Sequence, residues 1–102
     1  MTRTLEYLDE ALEEAEEAAR WYAERSFTAA VGFTDELDIA AAEIERAPTT
    51  WPACDHGTRR FLLRRFPYCI VYRIEATRVV IVAVAHARRR PGYWRQRLEG
   101  PG

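Results

Sequence analysis

Residues 58–86 read TRRFLLRRFPYCIVYRIEATRVVIVAVAH. Two breaks, Phe66-Pro67 and Ala76-Thr77, cut this stretch into segments 58–64, 68–75 and 78–86, each rich in the aromatic and branched residues that strands favour. The spacing predicts three strands in meander order. In the middle one Tyr68, Ile70, Tyr72 and Ile74 share one face, and Cys69, Val71, Arg73 and Glu75 the other. The third is apolar on both faces, so it belongs at the centre of the sheet. Its apolar run, 79–85, suits a buried strand and falls far short of the roughly 20 residues that cross a bilayer.

Upstream the period changes. Between residues 10 and 25 the apolar positions Ala11, Ala15, Ala18 and Tyr22, flanked by Leu12, Ala19 and Trp21, keep helical spacing, while Glu13, Glu14, Glu16 and Glu17 cover the outer face. Asp9 stands where an N-cap would accept the first free amide hydrogens. Ser26 is placed to cap a second helix, with Ala30, Phe33, Leu37, Ala41 and Ile44 at three- and four-residue intervals until Ala47-Pro48 ends it. Two helices joined this tightly form an antiparallel hairpin. Gly32 inside the second costs about 1 kcal/mol relative to alanine, which suggests a close contact there. Residues 48–57 read as an ordered loop anchored by Trp51, residues 2–8 as a short strand or lead-in, and residues 93–98 as a short final helix after Pro91-Gly92.

The chain is also electrically divided. Residues 1–56 carry 14 acidic side chains against 4 arginines, a net −10, and residues 57–102 carry 11 arginines against 2 acids, a net +9. Such segregation gives the second half a positive potential that attracts an anionic partner, so the working surface is expected there. All 15 basic residues are arginine. Arginine offers a planar fork to carboxylate or phosphate but rarely acts as a neutral base, and lysine chemistry is excluded. The 102 residues suit a single domain spanning 1–102, with one core. Cys54 and Cys69 fit no disulfide or metal spacing, and the N-terminus lacks a basic-then-apolar leader, so a cytoplasmic protein with reduced thiols is expected.

Two basic groups are candidates for binding. His86-Ala87-Arg88-Arg89-Arg90-Pro91-Gly92-Tyr93-Trp94 follows the buried strand and could grip phosphates and stack bases, or grip an acidic peptide. The other reading is a solvated basic turn with Tyr93 and Trp94 folded over the core. Arg59, Arg60, Arg64 and Arg65 bracket a second strand, and period-two geometry puts Arg60 and Arg64 on one face. That group reads either as a binding surface or as a partner for the helical glutamates. Cys54-Asp55-His56 does not complete a metal site, and no cofactor or metal is expected. Phosphate-cradling glycine loops, paired carboxylates and serine elbows do not occur.

The runs Glu17-Ala18-Ala19-Arg20-Trp21-Tyr22, Trp51-Pro52, Arg60-Phe61-Leu62-Leu63-Arg64-Arg65-Phe66-Pro67-Tyr68 and Ala83-Val84-Ala85-His86, then Arg89-Arg90-Pro91 and Trp94, resemble the RelE/ParE toxins of type II toxin-antitoxin systems. The likeness covers nearly the whole chain in order. It implies an α+β fold of order β-α-α-β-β-β, a helical hairpin packed on an antiparallel sheet, and makes residues 2–8 the first strand. RelE-like members cut messenger RNA on the ribosome with basic side chains and a tyrosine, whereas ParE-like members poison DNA gyrase. Tyr93 falls where the RelE-type tyrosine is expected, but Ala87 falls where its arginine would be and the nuclease lysines have no counterpart. A nuclease would have to rely on His86, Arg88, Arg89 and Tyr93, because metal-free cleavage needs a base and an acid. The resemblance therefore implies a ParE-like toxin acting on gyrase, with a ribosome-dependent nuclease acting on messenger RNA as alternative and a non-toxic interaction module as third. A cognate antitoxin, its extended acidic and apolar segment gripped by Arg60, Arg64, Arg88, Arg89, Arg90, Tyr93 and Trp94, would form a hetero-oligomer with it, away from any membrane.

Overall fold

The structure, a computed structural model of the chain, describes residues 3–99. Strand β1 (Thr4–Tyr7) leads into helices α1 (Asp9–Ala23) and α2 (Phe27–Arg46), and strands β2 (Arg59–Leu62), β3 (Tyr68–Ile74) and β4 (Arg78–His86) follow. Short 3₁₀ turns occupy Pro48–Thr50, Asp55–Gly57 and Arg95–Glu99. Thr2, where the first strand was expected to begin, lies outside the described residues.

The strands lie in the order β1-β4-β3-β2. The meander β2-β3-β4 is antiparallel as expected, but β1 pairs with β4 in parallel, Thr4 opposite Arg78 through Tyr7 opposite Ile81, so the sheet as a whole is mixed. Since β3 runs against both its neighbours, β2 and β4 run with β1, and β2 begins level with Tyr7. The apolar β4 is central, as its two-sided pattern requires: residues 79–85 are all buried.

Each face of the sheet carries a core. The α1–α2 hairpin brings Ala11, Ala15, Ala18, Phe33, Leu37 and Ile44 onto Ile70, Tyr72, Val79 and Ile81. On the opposite face Val71, Val82 and Ala83 are covered by Trp94, with Cys54, Cys69, Tyr93 and Leu98 around it. Alanines at the α1 contact let the helix approach the sheet closely, while Phe33 and Tyr22 form an aromatic cluster with Phe66 and Tyr68 at centroid distances of 5.1 to 6.5 Å.

Helix boundaries differ from expectation at one end. Ser26 caps α2, its Oγ accepting from Ala29 N–H at 3.2 Å. Asp9 does not cap α1; Leu8 holds the extended N-cap conformation and Asp9 is the first helical residue, where its charge still favours the helix dipole. The segment expected as strand 58–64 pairs only as far as Leu62, since the turn through Arg65-Phe66-Pro67 needs the residues after it. Arg64 and Arg65 therefore sit in a turn, outside the face alternation expected of them. The final helix is a 3₁₀ turn starting at Arg95.

A β-bulge in β4 decides where its last residues point. Val71 pairs with Ala83 and Tyr72 with Ile81, which leaves Val82 as the extra residue. Alternation shifts by one beyond it, so Val79 and Ile81 join Val84 on the helix side. His86 follows Val84 onto that side, opposite Tyr68, with ring centroids 5.0 Å apart.

Candidate functional site

Four arginines of the basic half are neutralised internally. Arg65 pairs with Glu36, Arg73 and Arg78 with Glu75, Arg78 also with Glu6, and Arg97 with Glu14. Among the described residues Arg60, Arg64, Arg88, Arg89 and Arg90 have no acidic partner. The three in the turn after β4 are exposed, as their shared charge and the scarcity of nearby acids required.

On the helix-free face a depression of about 390 Å³ runs between β2, the end of β4 and this turn. Arg60, Arg89 and Arg90 line it over an apolar floor that includes Leu62, Val71 and Trp94. Arg60 is delivered there by its pairing opposite Val71. Trp94 is only 4% exposed and packs on Val71, Val82 and Ala83, so it is core rather than a free stacking surface. Gly92, at φ +75°, makes the turn that folds it back.

Tyr93 lines the depression with its ring under the Arg89 guanidinium, 3.8 Å from the centroid, and points its hydroxyl towards α1. Its hydroxyl donates to Glu14 Oε2 at 2.5 Å, while Arg97 donates from Nη1 to Glu14 Oε1 at 2.8 Å and from Nη2 to Oε2 at 3.0 Å. The same pair closes the open edge of β4 beyond β1: Glu14 Oε1 accepts from Val84 N–H at 3.0 Å, and Arg97 Nη1 donates to the Val82 carbonyl at 3.0 Å. Two side chains thus replace the strand pairing that stops at Tyr7. Burial alone would raise the Glu14 carboxyl, but the hydrogen bonds from Arg97, Tyr93 and Val84 and the Arg97 charge outweigh it and hold Glu14 below the usual carboxylate range. Tyr93 is pushed far above the ordinary phenol value by burial, by its bond to Glu14 and by the Glu14 charge. His86 Nδ1 accepts from Arg88 N–H at 3.0 Å, which commits one ring nitrogen to the turn.

A second surface lies between α2 and the sheet edge. Ile39 and Leu62 are 63% and 64% exposed, and with Ala40, Trp51 and Phe61 they floor a groove of about 750 Å³ rimmed by Arg60 and Arg64. Trp51 packs edge-on against Phe61 at 4.5 Å and so anchors its loop as expected. Leu63 N–H bonds inward to the Tyr68 carbonyl, so alternation turns the backbone of Arg60 and Leu62 outward. The Pro52 carbonyl accepts from the Arg60 N–H at 3.1 Å, and among the described residues the backbone at Leu62 has no partner on its outer edge beside the groove. Glu36 holds the adjoining turn by accepting from the backbone N–H groups of Arg64 and Arg65 and from Arg65 Nε at 3.1 Å.

Most of the residues singled out in the sequence come together, and two do not. Arg60, Arg89 and Arg90 meet in the basic depression; Arg64 reaches only the α2–β2 groove; Arg88 is exposed and lines neither. His86, Tyr93 and Trp94 line the basic depression as well, and His86, Arg89 and Tyr93 also border a cavity beside α1. Glu14, Arg97, Ile39 and Leu62 were not foreseen as functional. A signal existed for Glu14, since it lies three residues after Ala11 and four before Ala18, bordering the apolar stripe rather than opposite it. Cys54-Asp55-His56 enters a 3₁₀ turn in which His56, at φ +61°, meets Trp94 edge-on at 6.0 Å.

The profile of the family described as ParE toxin of type II toxin-antitoxin system, parDE, matches residues 5–91. A solved structure titled as a chromosomal ParDE toxin-antitoxin system from P. aeruginosa aligns with a TM-score of 0.74 at 13% identity, covering 83% of this chain and 96% of that one. The toxin-antitoxin complex RelBE2 from Mycobacterium tuberculosis aligns at 0.54 and 22% identity, covering 84% and 92%. At these identities the structural likeness speaks for the fold. No curated protein matches the chain in sequence.

Proposed function

We propose that this chain, which belongs to the ParE toxin family of type II toxin-antitoxin systems, arrests growth by inhibiting DNA gyrase without cutting RNA, and is neutralised by an antitoxin segment laid in the α2–β2 groove. The observation that carries the non-nuclease reading is the Tyr93–Glu14 hydrogen bond at 2.5 Å. A phenol tied to a carboxylate, with its pKa raised far above neutrality, is a poor base for a 2′-hydroxyl. His86 shares a cavity with Arg89 and Tyr93, but its Nδ1 is taken by the Arg88 N–H, which leaves one ring nitrogen to act as both base and acid. The absence of lysine and the alanine at position 87 point the same way. These facts weigh against nuclease chemistry, and the choice of gyrase as target rests on the ParE family alone.

The groove favours an extended partner segment. The open backbone at Leu62 can receive a strand, Ile39, Leu62 and Trp51 supply contacts for alternate apolar side chains, and the unpaired Arg60 and Arg64 supply forks for carboxylates. Producing the protein alone should stop growth, and co-expressing the product of an adjacent DNA-binding antitoxin gene should restore it. Leu62→Asp should abolish the rescue while leaving the toxin folded. Continued growth with folded, soluble protein present would favour an inert interaction module.

A further inference from the structure

A third cavity, of about 490 Å³, opens between α1 and the adjoining ends of β3 and β4. It is lined by Glu17, Trp21, Tyr22, Tyr68, Tyr93 and Arg89, with Glu14 and His86 also on its wall. Glu14 is already satisfied by Arg97 and Tyr93. Glu17 is exposed, and among the described residues neither its carboxylate nor the hydroxyls of Tyr22 and Tyr68 have a hydrogen-bond or ion-pair partner.

These three oxygen groups lie together. The Tyr68 phenol is raised by burial and then by the proximity of Tyr22 and of the Glu17 charge. Arg89 acts at the other end: it stacks on Tyr93 at 3.8 Å, and its charge is felt at that phenol instead. The Glu17 end is therefore rich in acceptors, walled by aromatic rings and locally negative. Its own neighbourhood shows what such a surface holds, since the Arg25 guanidinium lies 3.7 Å from the centroid of the half-exposed Trp21 ring. An anionic partner group suited to the basic depression is unsuited here.

We infer that this cavity receives an arginine side chain of a partner protein, with Glu17 accepting from the guanidinium, Tyr22 and Tyr68 accepting at its edge, and Trp21 flanking its face. The inference stands apart from the gyrase reading, because it rests on this cavity's chemistry alone. It adds a basic contact to a partner otherwise expected to be acidic.

N-acetyl-L-arginine amide, titrated into the isotopically labelled protein and followed by amide chemical shifts, tests the site. Saturable shifts should map to residues 17–22 and 68, and the neutral, nearly isosteric N-acetyl-L-citrulline amide should bind several-fold more weakly. Glu17→Gln should weaken arginine binding about threefold to fivefold, the upper range for one exposed ion pair. Glu16→Gln on the same helix should leave it unchanged, and circular dichroism should show both variants folded. Equal binding of the citrulline compound, equal loss in Glu16→Gln, or no saturable shift at residues 17–22 and 68 would each overturn the proposal.

Discussion

Arg97→Ala should destabilise the protein more than any change in the exposed arginine turn. The substitution removes two bonds to Glu14 and one to the Val82 carbonyl, and leaves a carboxylate whose side chain is 15% exposed without its counter-charge. Breaking a fully buried pair costs about 3–5 kcal/mol. Arg97 keeps 16% exposure, so about 2–3 kcal/mol is expected here. At about 4–8 °C per kcal/mol for a domain of this size, the Tm should fall by roughly 10–15 °C. The pH dependence distinguishes this mechanism from lost packing. In the wild type Glu14 is depressed, so its contribution is complete above the ordinary carboxylate pKa and is lost as pH falls through the lower folded value. Without Arg97 burial dominates, the Glu14 pKa rises, and protonation on acidification relieves the variant. Urea unfolding from pH 7 to pH 4 should therefore show the gap between the two proteins shrinking. A loss under about 0.5 kcal/mol, or one constant with pH, would refute the assignment of Glu14 and Arg97 as the closure of the β4 edge.

Other substitutions probe separate parts of the fold. A Cβ built on Gly32 would sit 3.5 Å from the Phe66 ring, an ordinary contact, so Gly32→Ala should stabilise by about 0.5–1 kcal/mol in denaturant titrations. Tyr72→Phe should cost about 1 kcal/mol by stranding the Pro48 carbonyl, which the buried hydroxyl now serves at 2.5 Å. Burial also pushes the Tyr72 phenol from 10.0 up to about 12, so folded stability should fall as pH rises between those values, and Tyr72→Phe should lose that slope. Replacing Arg88, Arg89 and Arg90 together by glutamine should change stability by less than about 0.5 kcal/mol while weakening partner binding most at low salt; unfolding of the triple variant would make them structural.

The architecture was largely legible because its elements bury different periodicities. Ala11, Ala15 and Ala18 announce one helix face, and the two-sided run at 79–85 announces a central strand. Long-range choices left no such mark. Nothing local says that β1 joins β4 in parallel, or that Val82 bulges and turns His86 towards Tyr68. Of the candidate site, the exposure of Arg88–Arg90 followed from charge alone. The fate of Trp94 and Tyr93 depended on what lay opposite them: Val71 and Ala83 for one, Glu14 for the other. The α2–β2 groove was hidden because Ile39 and Leu62 each look unremarkable in sequence and matter only as neighbours across a free edge.

The central claim is that this toxin arrests cells without nuclease chemistry. Primer-extension mapping of messenger RNA in cells arrested by the protein, read beside a reporter of DNA damage, tests it most directly. The account predicts intact transcripts, an induced damage response and filamentous cells. Codon-positioned cleavage that disappears in Tyr93→Phe, with no damage response, would contradict it and restore the ribosome-dependent nuclease.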